Sequence, residues 1–310
     1  MATTKPCYYL RSRNHSMIHL TSVLLASALH TSSAFHLPQP AARHGAILSA
    51  KSICTFDSSD FAGKQGDWPY TNADLNRIDN SNDSFFYDEP RFVTHIDDQA
   101  ISLLTAFYRE EFSSLNKKEK GPLDILDLCS SWISHLPTDV KYGRVVGVGM
   151  NAKELQANTQ LTEYIVQDLN QQPTLSQFED NSFDVICNVV SVDYLTKPLE
   201  IFQEMHRILR PGGISLMSFS NRCFPSKAVA LWFQADDIGR LTIVASYYHY
   251  SANWKSIEAL DLKEMQATPP RPSAGEVFRN PAALTAWMTT AASVARNNQG
   301  DPMFVVKGVK

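Results

Sequence analysis

Between Leu123 and Phe219, short apolar runs alternate with helical patterns, and this alternation restricts the fold more than any other feature. The runs Leu123–Leu128, Arg144–Met150, Tyr164–Leu169, Phe183–Val190 and Ile214–Phe219 have strand length. Ser134–Tyr142, Ala152–Asn158 and Lys197–Arg210 lie between them as helix candidates, the first shortened by Pro137. The third is the clearest. Pro198 sits in its first turn, Leu199, Phe202, Met205, Ile208 and Leu209 share one face, and Pro211-Gly-Gly213 ends it. Such alternation predicts an α/β fold, a mostly parallel, Rossmann-like sheet with helices on both faces.

The flanks extend this unit. Thr94 with Asp97 fits a capping box for a helix carrying Ile101, Leu104, Tyr108, Phe112 and Leu115 at helical spacing. Residues 57–90, rich in Asp, Asn, Ser and Gly, read as a loop or extended arm. Downstream, the pattern predicts a helix over Ala228–Asp237, a strand over Leu241–Tyr248, a Pro-rich linker over 266–280, a helix over Pro281–Arg296 and a last strand over Met303–Val309. The expected organisation is a presequence over 1–56, an N-terminal arm and cap helix over 57–120, and one main domain over 121–310.

The first 56 residues read as an address. Lys5, Arg11 and Arg13 precede the short apolar run Met17–Leu29, too short to span a bilayer comfortably, and Ser32-Ser33-Ala34 fits a cleavage site. The following acid-free stretch, with Arg43 and Lys51, reads as a transit peptide. The Ala34-Phe35 junction resembles bipartite presequences of algae with complex plastids, which implies a plastid destination; secretion is the alternative. No other stretch is long and apolar enough for a transmembrane helix. No Asp or Glu precedes Asp57. Setting Lys5, Arg11, Arg13, Arg43 and Lys51 aside from the 28 basic residues leaves 23 against 32 acidic, a net charge of −9. An acidic body argues against a general nucleic-acid or anionic-membrane binder. Cys129, Cys187 and Cys223 are odd in number and widely spaced, which suits a reducing compartment better than a disulfide framework or a zinc site.

Ligands of open α/β sheets sit at the carboxyl ends of the strands, where strand order reverses. The residues just after each predicted strand are therefore the candidate site. These segments also carry a resemblance. Asp127-Leu-Cys-Ser-Ser-Trp-Ile133 takes the place of an Asp-and-glycine turn, Asp168 follows the third strand, and Phe183-Asp-Val-Ile186 and Arg207-Ile-Leu-Arg-Pro-Gly-Gly213 follow in order. Together they resemble the class I S-adenosylmethionine (SAM) methyltransferases, type 11-like. The stretches His95-Ile-Asp97, Ser130-Ser-Trp132, Ser134-His-Leu-Pro137 and Phe219-Ser-Asn-Arg-Cys-Phe224 are similar to a plant, algal and bacterial methyltransferase-like group. The resemblance covers about 121–222 and implies a class I methyltransferase fold with SAM as cofactor and a small-molecule acceptor. It implies cofactor contacts at Asp127, Leu128, Ser130, Ser131, Met150, Asn151, Asp168 and Leu169.

Two departures stand out. Cys129, Ser131 and Ile133 replace glycines of the first turn, and Gly149 stands where the family carries a ribose-binding acid. Ser130 and Ser131 could substitute hydroxyl and amide donors for glycine flexibility, beside Asp127. On the acceptor side, His95, Asp97, Tyr194, Asn221 and His249 are the candidate residues. Asp193 is a further base candidate, and Asn221-Arg222 could receive an anionic or carbonyl group. No metal site is expected, because His95-Ile-Asp-Asp98 lacks further ligands at suitable spacing. The competing reading is a non-catalytic methyltransferase-fold protein that binds or assembles in the plastid. A nucleotide-dependent oxidoreductase lacks its G-x-G-x-x-G.

Overall fold

The computed structural model describes residues 50–61, 67–119, 121–263 and 269–310. Its strands are β1 (Lys51–Phe56), β2 (Leu123–Leu128), β3 (Tyr142–Gly149), β4 (Glu163–Val166), β5 (Phe183–Val189), β6 (Leu209–Phe219), β7 (Ser256–Asp261) and β8 (Phe304–Val309). They form one sheet in the order β1-β7-β8-β6-β5-β2-β3-β4. The five strands β4, β3, β2, β5 and β6 pair in parallel. Beyond β6 the pairing is antiparallel through β8, β7 and β1. This is the expected mostly parallel α/β sheet, with an antiparallel edge.

Period-2 alternation places successive side chains of β2, β3, β5 and β6 on opposite faces, both of which are covered. Ile125, Val145, Val185 and Leu216 face one cluster, where they meet Leu104, Tyr108 and Phe112 of α2 (Asp98–Glu119). Their neighbours Leu126, Val146, Ile186 and Met217 face the other. There α4 (Pro198–Ile208) and α6 (Asp237–Ser251) cover the sheet. The chain runs outward from β2 to β4 and returns on the other side at β5. Strand order therefore reverses between β2 and β5, which opens a crevice above their carboxyl ends.

Several expectations are corrected. No helix forms over Ser134–Tyr142. Pro137 removes a donor and restricts Leu136, and side chains satisfy the loop instead. Gln160 Nε2 donates to the Leu136 carbonyl at 2.7 Å, and the Tyr142 hydroxyl donates to the Pro137 carbonyl at 2.8 Å. The strand expected over Leu241–Tyr248 is the middle of α6. Its β-branched and aromatic residues favour strands, but Asp236 caps a helix by accepting from the Gly239 amide at 2.8 Å. Enclosure against α4, β7 and β8 then buries most of its circumference. The Thr94–Asp97 capping box is replaced by Asp97 alone, whose Oδ1 accepts from the Ala100 amide at 2.8 Å. The helix expected over Ala228–Asp237 shortens to α5 (Ala230–Phe233).

Lys51–Phe56, within the stretch read as a presequence, pairs with β7 as the edge strand of the sheet. Residues 1–49, which hold the basic and apolar regions and the Ala34-Phe35 junction, lie outside the described residues. Cys54 in β1 is disulfide-bonded, whereas Cys129, Cys187 and Cys223 carry free thiols. No helix among the described residues is long and apolar enough to cross a membrane.

The arm before α2 is docked by a buried ionic cluster. Lys227, fully enclosed, lies 2.9 Å from Asp79 Oδ2 and 3.1 Å from Asp83 Oδ1, and Arg77 lies 2.8 Å from Asp83 Oδ2. Backbone bonds from the Asp79 amide to the Ser226 carbonyl and from the Ala230 amide to the Asn76 carbonyl, each 2.8 Å, complete the seam. Asp83 belongs to the short helix α1 (Asp83–Phe86). The segment that follows reaches over the crevice.

Candidate functional site

A cavity of about 320 Å³ occupies the crevice between the strand ends and the arm, within the range of small-molecule sites. Asp127, Gly149, Asp168 and Val190 mark its floor, and Tyr87, Arg91 and His95 its roof. Three of the four non-glycine residues with positive φ among the described residues line it: Cys129 (59°), His135 (56°) and Val190 (44°). A β-branched residue there is a genuine outlier. Strain of this kind gathers at ligand sites, where packing holds what local preference would release.

The turn after β2 keeps the left-handed backbone that glycine would favour, with Cys129 carrying it. The hydroxyls behave differently from expectation. Ser130 and Ser134 both donate to Asp127 Oδ2, each at 2.6 Å. The Ser130 amide donates to the Val148 carbonyl at 2.8 Å. Ser131 donates to Glu154 Oε2 at 2.6 Å, while the Arg91 amide reaches Glu154 Oε1 at 2.6 Å. Both serines line the cavity, but their hydroxyls clamp carboxylates rather than stand free for a ligand.

Burial governs the ionisation here. Asp127, only 3% exposed, is pushed up to about 6 by desolvation, which its two hydroxyl donors partly offset. Desolvation pushes the Cys129 thiol up to about 12, so it is no nucleophile at neutral pH. His135 is pushed down to about 4 by burial, and its Nδ1 is buried without a hydrogen-bond partner among the described residues.

The absence of an acid at Gly149 has a steric cause. A Cβ there would fall 2.1 Å from the Ser130 carbonyl oxygen, so the turn after β2 leans directly on the end of β3. Asn151 lines the cavity, but its side chain is spent. Nδ2 donates to the Tyr87 and Asp88 carbonyls at 2.8 and 3.0 Å, and Oδ1 caps α3 (Ala152–Ala157). Met150 and Leu169 line the cavity as expected, whereas Leu128 lies outside it, giving its carbonyl to Asn188 at 3.0 Å.

Asp168 is the most informative of the expected residues. Its Oδ1 accepts from the Asn170 and Gln171 amides at 2.8 and 3.3 Å. Its Oδ2 is buried and has no hydrogen-bond partner among the described residues. Buried acceptors are almost always satisfied, so an unsatisfied one in a cavity wall is an open position for a ligand donor.

The acceptor-side candidates divide. His95 and Tyr194 line the cavity. Partial desolvation lowers the His95 imidazole. Burial holds the Tyr194 phenol far above its ordinary range, and its oxygen accepts from the Phe224 amide at 2.8 Å. Asp97, Asn221 and His249 do not line the cavity. Asp97 caps α2, Asn221 is exposed beyond β6, and His249 stacks on Phe61 with ring centroids 4.4 Å apart. Asp193 also lies outside it, buried and pushed up to about 8 by desolvation. Trp132 and Asn170, candidates by their place just after strands, line the cavity too, and the structure adds Arg91, His135 and Glu154. His135 fell in the segment expected to be a helix, and Glu154 sits three residues after the helix cap Asn151, a pattern that signals capping rather than a site.

Residues 129–217 match the family described as a methyltransferase domain. The chain is similar to the malonyl-[acyl-carrier protein] O-methyltransferase of Marinomonas sp. (strain MWYL1), with 24% identity over 86 residues. That match covers 28% of this chain and 30% of the relative. Among solved structures, a SAM-dependent methyltransferase from Archaeoglobus fulgidus has a TM-score of 0.39 at 10% identity, covering 66% of this chain and 94% of that one. Haemonchus contortus phosphoethanolamine N-methyltransferase 2, in complex with SAM, has a TM-score of 0.37 at 13% identity, covering 66% and 53%. Residues 129–217 therefore match a methyltransferase-domain family, and the strand order around the cavity is that of a mostly parallel, Rossmann-like sheet.

Proposed function

We propose that the protein is a SAM-dependent methyltransferase acting on a small-molecule acceptor. The observation that carries this reading is the buried, unpartnered Oδ2 of Asp168 in the wall of the switch-point cavity. An amino group of the cofactor's adenine is the kind of donor that position lacks. Asp127 offers a carboxylate to the methionine ammonium, and a bound cation would pull its raised pKa down and hold it ionised. Leu169 and Met150 supply apolar contact, and the Met150 backbone the polar groups, for the ring and ribose. SAM supplies an activated methyl on a sulfonium. The chain's own task is to hold an acceptor in line with that methyl, where positioning provides most of the rate. His95, with a lowered pKa, is neutral at pH 7 and able to take a proton from the acceptor, whereas His135, pushed down to about 4 by burial, is a weaker base. Tyr194, kept as a phenol, orders the Phe224 segment instead.

The second reading, a non-catalytic binding or assembly protein, is favoured by the serine hydroxyls spent on Asp127 and Glu154. The presequence pattern supports a plastid destination under either reading. Native mass spectrometry of the purified full chain tests the cofactor. Retained SAM or its demethylated product is expected; a folded protein that retains a different nucleotide, or none after incubation with SAM, would overturn the proposal.

A further inference from the structure

We infer that the acceptor carries an anionic group, a carboxylate or a phosphate, received by Arg222 at the cavity mouth. This rests on the methyltransferase reading of the same cavity. Arg222 lines the cavity just beyond β6, and its side chain is 62% exposed. Only Nε is engaged, donating to Asp301 Oδ1 at 2.8 Å. Nη1 and Nη2 make no hydrogen bond among the described residues, so two amino groups remain to receive an anion.

The support behind this arginine is extensive. Asp301 is 6% exposed and locked to Asp97 in both directions. The Asp97 amide donates to Asp301 Oδ2 at 3.0 Å, and the Asp301 amide donates to Asp97 Oδ2 at 2.6 Å. Gly300 makes the approach possible. Its φ is +94°, and a Cβ there would fall 2.5 Å from Asp97 Oδ2. Buried Lys263 then donates to the Gly300 carbonyl at 2.9 Å. Residues 97, 222, 263 and 301 thus converge from four parts of the chain to fix one exposed guanidinium. Arg222 Nε neutralises the buried Asp301 carboxylate, while the rest of the guanidinium faces solvent at the cavity mouth.

The surroundings suit an anion on an apolar body. Phe224 follows two residues later, with His95 at 5.4 Å, Phe86 at 5.2 Å and Tyr194 at 6.1 Å between ring centroids. Arg91 adds a second cation, 5.5 Å from the Phe224 ring. Of the carboxylates here, Asp301 accepts from Arg222, Glu154 accepts from Ser131 and the Arg91 amide, and Asp83 is matched by Arg77 and Lys227. Asp127 and Asp168 lie on the floor at the strand ends.

The test uses the full chain with S-adenosylhomocysteine, titrated with phenyl phosphate, phenylacetate and neutral phenylacetamide. Both anions are expected to bind, and the amide about tenfold more weakly or less. Arg222→Gln should weaken the anions about 10- to 100-fold while changing S-adenosylhomocysteine affinity by less than about threefold. Arg222→Lys should restore part of the loss as a point charge. The proposal is overturned if the amide binds as well as the acids, if neither anion binds, or if Arg222→Gln leaves them unchanged. It is also overturned if that variant weakens S-adenosylhomocysteine equally, which would assign the arginine to the cofactor's own carboxylate. Arg222-dependent anion binding by a chain that ignores S-adenosylhomocysteine would support this site and overturn the cofactor reading instead.

Discussion

At the residue scale, Asp127 joins stability to function. Its folded pKa, about 6, lies above the ordinary carboxylate value, so the folded state holds the proton more tightly than the unfolded chain. Its contribution to stability is full below about pH 4 and is lost as the pH rises through about 6. Asp127→Asn removes this dependence. Relative to wild type, the variant should gain about 3 kcal/mol between pH 4 and pH 8, on the order of two pKa units, read from urea unfolding at the two pH values. The same variant should bind SAM more weakly, because the ammonium loses its counter-charge. Asp168→Asn exchanges an open acceptor for a donor and should reduce SAM affinity by about 1–3 kcal/mol, with little change in thermal stability. Asp168 was legible because it lies just past β4, where open α/β sheets place ligands, and Asp127 because it stands near the end of β2 at the acid position of the motif that the turn resembles. The partners of Ser130 and Ser131 were less legible. Asp127 lies three residues away, but Glu154 arrives from a helix beyond the next strand.

At the scale of elements, the turn after β2 and the end of β3 act as one unit. Gly149→Ala would drive a methyl into the Ser130 carbonyl and push the turn off the strand. A loss of about 1–3 kcal/mol is expected, the usual range for overpacking, with weaker SAM binding read in parallel by calorimetry. The parallel core was readable because β2, β3, β5 and β6 bury both faces and carry recognisable apolar runs. The misread elements share a cause. Leu241–Tyr248 has the composition of a strand, but its enclosure between α4 and the sheet asks only for apolar residues all round. Local pattern cannot separate a fully buried helix from a buried strand. The loop 129–141 lacks a helix because Pro137 interrupts it and the side chains of Tyr142, at its end, and Gln160, 24 residues from Leu136, supply hydrogen bonds.

At the scale of the molecule, the arm and the sheet meet over the cavity, and Lys227 holds them together. Lys227→Met would leave Asp83 buried with one cation fewer. A cost of about 3–5 kcal/mol is expected, as for breaking other buried pairs, with faster hydrogen exchange across residues 74–91. This seam was invisible in the sequence, since nothing local pairs Lys227 with a segment nearly 150 residues earlier. The edge strand β1 was likewise hidden, because Lys51–Phe56 follows an acid-free stretch and shares its composition. The central claim is that the cavity above β2 and β5 binds SAM through Asp168. Calorimetric titration of SAM into the full chain and into Asp168→Asn tests it most directly. Saturable binding in the micromolar range, lost or sharply weakened in the variant, is expected. A folded wild-type chain that takes up no SAM, or a variant that binds it equally well, would contradict the claim.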